Sequence, residues 1–179
     1  MQHFVQYIPR IVTSRLTLRE IMSNESAVIY RLNSDPDVIL WRGVAPIEDQ
    51  SEAEQLIFGW RQAFALNRGV RWGIEMDGRL IGTCGAKQIS VQHKRAEISY
   101  DLLPEYWNRG IMTEALTAMT QLLLTGFNLQ SIEANIDPSH LASAKVLTKL
   151  GFTPEALFKN NYYHERWWDS QIWSKHGTS

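Results

Sequence analysis

Cysteine is nearly absent from this chain. One residue, Cys84, stands among 179, which excludes an internal disulfide framework and a cysteine-rich zinc site. It lies in Leu80-Ile81-Gly82-Thr83-Cys84-Gly85, a segment that reads as a buried strand, so it is expected as a small core residue and not as a reactive thiol. The five histidines are scattered with no pair at metal-ligand spacing, and no metal is expected. Neither charge sign dominates: 18 Lys and Arg face 19 Asp and Glu for a formal net charge of -1, and residues 1–90 hold ten of each. Without clustered Lys and Arg, nucleic acid is not expected as the main partner. No apolar run approaches the roughly 20 residues that cross a bilayer. Met1-Gln2-His3-Phe4-Val5-Gln6 has no charged segment ahead of an apolar stretch. Neither a signal peptide nor a membrane partner is expected, and a reducing cytoplasm is the default location. No repeat, low-complexity block or Gly, Ser or Pro-rich linker divides the chain, so 1–179 reads as one domain.

What is present is an ordinary globular composition, 44% hydrophobic and 21% charged, which excludes a disordered tail, a coiled coil and a collagen-like rod. Thr13 to Arg19 alternates as a half-buried strand does, and Asn24 to Asn33 reads as a weak helix. Ser51-Glu52-Ala53-Glu54 reads as a capping box opening a helix that ends near Leu66. Strands are expected from Arg71 to Met76 and Arg79 to Gly85, joined by the hairpin signal Asp77-Gly78. A polar turn, Gln92 to Arg95, leads to a third strand, Ala96 to Leu103. After Pro104 the period changes, and Ala115, Ala118, Met119, Leu122 and Leu123 place a helix over Thr113 to Phe127. Ser131 to Ile136 is a strand. Asp137-Pro138 offers an N-cap with Pro at the first helical position, and that helix runs to a C-cap at Gly151. The aromatic-rich remainder, Phe152 to Lys175, reads as strand. The order describes an α/β or α+β sandwich with one crossover near its centre.

One segment stands out: Pro104-Glu105-Tyr106-Trp107-Asn108-Arg109-Gly110-Ile111-Met112-Thr113-Glu114-Ala115. A strand ends, a loop with a central glycine follows, and a helix begins. The first amides of a helix lack internal partners and sit at its positive end, which suits phosphate. Gly110 permits close backbone approach, and Arg109 adds charge. Many such turns bind nothing, and on these residues alone a purely structural turn stays open.

With its flanks, from Ala96 to Leu116, this segment resembles the acyl-CoA loop of the GNAT N-acetyltransferases in their RimJ/RimL-type branch. Thr13 to Arg19 is similar to that branch's opening strand. Ser34-Asp35-Pro36-Asp37-Val38 is similar to its next landmark, and Ser143 through Lys149-Leu150-Gly151-Phe152 to its closing helix and turn. The resemblance spans about residues 11–175. It implies a mixed, mostly antiparallel central sheet with splayed central strands, flanked by helices. Three positions depart from the family patterns. Trp107 and Met112 stand where the general superfamily has Gln or Arg and Gly or Ala, although Trp is common in the branch at the first of these, and His140 stands where the branch usually carries Asn.

The resemblance implies acetyl-CoA as co-substrate and a primary amine as nucleophile. Backbone amides of Asn108, Arg109, Gly110, Ile111, Met112 and Thr113 would hold the pyrophosphate. Leu102 and Leu103 would pair with the pantetheine arm in the manner of an added strand, and one such amide would face the developing oxyanion. His140 and Ser143 would also line the coenzyme site.

For the base, Glu97 occupies the strand position where some superfamily members carry a catalytic glutamate. The alternative is a Glu on a solvated strand face or in an ion pair with Arg95 or Lys94. For the acid, Ser143 fits the branch's serine, and the alternative is a bond to a nearby carbonyl. Tyr163 and Tyr162 are rivals for the acid, or else packing residues. Trp41 is a candidate wall of the acceptor pocket. The acceptor is a protein N-terminus or a small amine, and a small cationic amine would favour a pocket lined by Asp and Glu. The alternative from another class is a non-catalytic acyl-CoA-binding or regulatory module. The aromatic C-terminal segment makes a homodimer a further expectation.

Overall fold

The Asp77-Gly78 dipeptide turns the chain as its chemistry dictates. Both residues take positive φ, 51° and 74°, which matches the twist of a two-residue hairpin. That hairpin joins β3 (Val70–Met76) to β4 (Arg79–Ser90), and β5 (Arg95–Leu102) follows. Ahead of it lie β1 (Ile11–Val12), β2 (Thr17–Arg19), α1 (Ser26–Ser34), α2 (Pro36–Ile39) and α3 (Gln50–Ala65). After it come α4 (Ile111–Thr125), β6 (Ser131–Ile136), α5 (Leu141–Lys149), β7 (Thr153–Tyr163) and β8 (Arg166–His176). The structure, a computed structural model, describes residues 7–42, 44–163 and 166–177, with the side chains of 161–163 and 166 left aside.

The strands form one eight-stranded sheet in the order β1-β2-β3-β4-β5-β6-β8-β7. Every pairing is antiparallel except β5 with β6. That parallel pair needs a crossover, and α4 supplies it. Leu16, Leu18, Trp72, Cys84, Ile98 and Ile132 pack on one face beneath Ala115, Leu116, Met119 and Leu123 of α4 and Leu147 of α5. On the other face Leu80 and Leu103 meet Ile29 and Leu32 of α1, Val38 of α2 and Ala53 and Ile57 of α3. Cys84 is fully buried, and burial pushes its thiol up to about 12, so it stays protonated and inert as its strand position predicts. Among the described residues no helix is long and apolar enough to cross a membrane.

Several local expectations shift. Thr13 donates its amide to the Leu16 carbonyl at 2.9 Å and accepts the Leu16 amide on Oγ1 at 3.0 Å. This turn occupies the first part of the expected strand, so that only its end forms β2, while β1 lies ahead of it. The capping box of α3 begins two residues earlier than its sequence signal: Asp49 accepts the amides of Ser51 and Glu52, and Glu52 answers the Asp49 amide. Asp137 does not cap α5. Its carboxylate accepts the Ser139 amide at 2.7 Å in a separate turn, so the helix starts later, with His140 at the N-cap. Asp35 caps the four-residue α2 through the Asp37 amide, a helix too short for periodicity to reveal. The aromatic C-terminal segment divides into the β7–β8 hairpin.

Candidate active site

The parallel ladder at the sheet's centre is short. It runs from Arg95↔Ser131 to Ile98↔Ala134 and stops, although β5 continues to Leu102 and β6 to Ile136. The outer neighbours stay paired, β4 with β5 as far as Leu102 and β6 with β8 as far as Ile136. The divergence therefore opens a gap between two otherwise anchored strands. Leu103 donates to Ile81 of β4 at 3.0 Å. Antiparallel alternation then turns the backbone polar groups of Asp101 and Ser99 toward β4, and those of Tyr100 and Leu102 into the gap. The Leu102 carbonyl is taken, since Trp107 Nε1 donates to it at 2.7 Å. This narrows the expectation for Leu102 and Leu103. The Leu103 amide and the Leu102 carbonyl are spent inside the protein, and the free edge consists of the Leu102 amide and the Tyr100 backbone.

At the gap's end α4 begins. Its N-cap, Gly110, has φ 71° and no side-chain cap, and Asn108 also lies in the left-handed region at 57°. Gly and Asn are the residues that adopt that conformation at least cost. The first intrahelical bond is Glu114 N–H to Gly110 O at 3.1 Å, so the amides of Ile111, Met112 and Thr113 precede it. A Cβ built on Gly110 would meet only Arg15 Nη2, at 3.7 Å, so the turn is open on that side. Arg109 lies over the Tyr106 ring at 5.5 Å. Met112, partly buried, packs against the main core.

Two neighbours of this turn escaped the sequence reading. Arg15 Nη1 donates to the Arg109 carbonyl at 3.0 Å, bringing a second guanidinium beside the turn. Glu114 accepts from Thr13 Oγ1, Ser14 Oγ, the Arg15 amide and Arg15 Nε at 2.6, 3.0, 2.9 and 2.7 Å. Burial alone would raise this carboxyl, but those donors outweigh it and hold it at about 2.

On the other lip of the gap, Ser143 of α5 is buried at 4% exposure. Its Oγ lies 2.6 Å from the Tyr100 hydroxyl. Tyr100 is a residue the sequence reading did not select, because strand alternation marks it only as core-facing. Burial pushes its phenol up to about 12; the Ser143 bond pulls it back, and the Asp101 charge adds to the rise. His140 stacks on Trp41, centroids 4.9 Å apart and planes 8° from parallel. Burial lowers the imidazole pKa against the opposing pull of Asp137. Trp41 thus packs beside the start of α5.

Glu97 faces the opposite side of β5, paired with Lys87 at 2.9 Å and not with Arg95 or Lys94. Tyr163 pairs its backbone with Arg166 in the β7–β8 hairpin, and its side chain lies outside the described residues. Asp101 shares the Glu97 face and is held by Arg71 at 2.6 Å and Arg42 at 3.5 Å. The structure thus brings Ser143, Leu102 and the 108–113 turn around one gap, with Glu97 across the strand from Ser143.

Comparison with known proteins agrees with this geometry. A family model described as Acetyltransferase (GNAT) domain matches residues 15–153. An uncharacterized N-acetyltransferase of Bacillus subtilis, YoaA, is 31% identical over 157 residues, covering 87% of this chain and 89% of its own length. The RimJ of Mycobacterium smegmatis, solved in complex with a CoA disulfide, superposes with a TM-score of 0.82 at 23% identity over 90% of this chain and 81% of that one. A spermidine N-acetyltransferase of Vibrio cholerae, solved with CoA and spermine, superposes with a TM-score of 0.81 at 21% identity over 92% and 96%. The match reaches from before β2 to the start of β7 and takes in both lips of the gap and the glycine turn between them, and on that ground the chain belongs to the GNAT family of acetyltransferases.

Proposed function

We propose that the chain transfers the acetyl group of acetyl-CoA to a primary amine by direct attack, without an acyl-enzyme intermediate. The observation that carries this reading is the alignment of three features on one gap: a helix start with no side-chain cap, an unpaired strand edge, and a partly buried hydroxyl pair. The residues fit the co-substrate. Gly110 leaves an open cradle, the amides of 108–113 and the guanidiniums of Arg15 and Arg109 suit a diphosphate, and the β5 edge suits an amide-bearing arm. The chain is read as one domain, supported by its continuous sheet.

Each residue then has a defined task. A backbone amide on the free edge of β5, that of Tyr100 or Leu102, stabilises the oxyanion as the amine adds to the thioester carbon. Glu97 accepts the proton the amine gives up, directly or through water, after exchanging its Lys87 contact. As the carbon–sulfur bond breaks, Ser143 donates its proton toward the departing sulfur. Tyr100, protonated across the working range, donates to Ser143 Oγ and leaves the serine proton free to point into the gap. The attacking amine must be neutral. An α-amine, with pKa near 7.7–8.0, meets that demand more easily than a Lys amine near 10.4.

A second reading is a non-catalytic acyl-CoA-binding module, favoured by the engagement of Glu97 with Lys87. Release of free CoA from acetyl-CoA, measured against peptides of varied N-terminus and common small amines, separates the two. Amine-dependent release supports the transferase. Binding of acetyl-CoA with no release for any amine would sink it.

A further inference from the structure

The charges on the acceptor side of the sheet bear on what the amine brings with it. Among the described residues, three carboxylates stand on that face of β5 and β6: Glu97, Asp101 and Glu133. Each already holds a cation of the protein. Lys87 Nζ lies 2.9 Å from Glu97, and Arg95 Nη1 lies 3.8 Å from Glu133. Asp101 is shared, with Arg71 Nη2 at 2.6 Å from one oxygen and Arg42 Nε at 3.5 Å from the other. Four cations therefore meet three carboxylates. A polycationic acceptor would find no unpaired carboxylate here and would have to displace a protein cation, which is costly where the pair is buried.

The two guanidiniums on Asp101 differ in use. Arg71 is largely shielded and commits its donors to Thr83, Ser99 and Asp101, with Trp60 stacked against it at 5.2 Å. It holds β3, β4 and β5 together. Arg42 follows α2 on the loop that carries Trp41, and its side chain is 30% exposed. Its Nη1 donates to Asn33 Oδ1 at 2.7 Å, while its Nη2 has no acceptor among the described residues. The same loop stacks Trp41 on His140, three residues before Ser143. Arg42 thus sits beside Asp101 of β5, partly exposed and with its Nη2 unengaged among the described residues.

We infer that the acceptor is an amine bearing a carboxylate or other anionic group near the reacting nitrogen, and that Arg42 binds that group. A charged anion on a guanidinium edge gains a strong hydrogen bond. The inference rests on the transferase reading and narrows its substrate class. The anion's source is a small amino acid or the N-terminal segment of an acidic peptide, and the assay distinguishes them.

The test measures CoA release by the full chain with acceptor pairs matched in amine and differing in charge. These are the α-amide of glutamate against the diamide, which share the α-amine environment and differ in the side-chain charge, and the peptide Ser-Glu-Ala against Ser-Gln-Ala with a blocked C-terminus, with spermidine alongside. The anionic member of the pair used should win by about 10- to 100-fold in kcat/KM, the scale of one hydrogen bond to a charged group. Whichever pair responds identifies the source. Arg42→Gln should erase that preference by raising the acceptor KM while the acetyl-CoA KM holds. Arg42→Lys, which keeps the charge, should retain part of it and guards against misfolding as the cause. Preference for spermidine, equal use of anionic and neutral members, or equal damage to both by Arg42→Gln would overturn the inference while leaving the transferase intact. CoA binding without release for any amine would instead remove the transferase reading beneath it.

Discussion

Ser143 and Tyr100 form a hydroxyl pair across the gap, and each makes a different prediction. In the proposed mechanism Ser143→Ala removes the proton donated to the leaving sulfur, so kcat should fall about 10- to 100-fold, toward the low end of general acid effects, with acetyl-CoA affinity nearly unchanged. Tyr100→Phe keeps the ring and removes only the hydrogen bond that orients the serine. Its kcat should fall about fivefold, as one neutral hydrogen bond allows, and the Ser143→Ala, Tyr100→Phe double variant should be no slower than Ser143→Ala alone. Steady-state kinetics of the three variants checks this. Additive losses would show that Tyr100 acts independently of the serine. Ser143 was legible through its place ahead of Lys149-Leu150-Gly151-Phe152. Tyr100 was not, because its partner lies 43 residues away in sequence and its own strand pattern only says that it faces inward.

At the scale of elements, α4 depends on two devices at its start. Gly110 at φ 71° makes the turn, and a branched substitute there carries strain of about 1–3 kcal/mol. Gly110→Val should therefore weaken CoA binding, read by titration, well beyond its effect on the melting temperature. Equal losses would count against the turn as the diphosphate site. Glu114 ties the turn between β1 and β2 to α4 through its four donors. Its folded pKa of about 2 lies below the ordinary 4.5, so it contributes stability above roughly pH 4.5, and that contribution disappears as pH falls toward 2. Thermal melts should find Glu114→Gln less stable than the parent at pH 7 and should find the difference closing below pH 3. A constant difference across that range would show that the charge is not responsible. The glycine turn was legible because few residues can occupy that backbone. The Glu114 anchor was not, since Thr13, Ser14 and Arg15 come from the far end of the chain. The shifted caps of α3 and α5 have a related cause: Asp49 and Ser51 both suit an N-cap, and only tertiary packing chooses between them.

For the whole molecule, the order of strands and helices could be read from period and turn chemistry, and the family resemblance supplied the splay. Where β6 leaves β5 could not be read, because Ser99 to Leu102 looks like an uninterrupted strand. The charge arrangement on the acceptor face was also hidden, because the pairing of Asp101 with both Arg71 and Arg42 joins β5 to β3 and to the loop after α2. If the gap is built to receive acetyl-CoA, ligand at 100 times its Kd should stabilise the fold by about 2.7 kcal/mol, visible as a rise in melting temperature that Gly110→Val diminishes. The central claim concerns where that ligand sits, and a crystal structure with bound CoA tests it most directly. The account predicts diphosphate oxygens within about 3.2 Å of amides between Asn108 and Thr113, and the sulfur beside Ser143. A diphosphate bound elsewhere, with the turn empty or filled by the protein's own side chains, would contradict it.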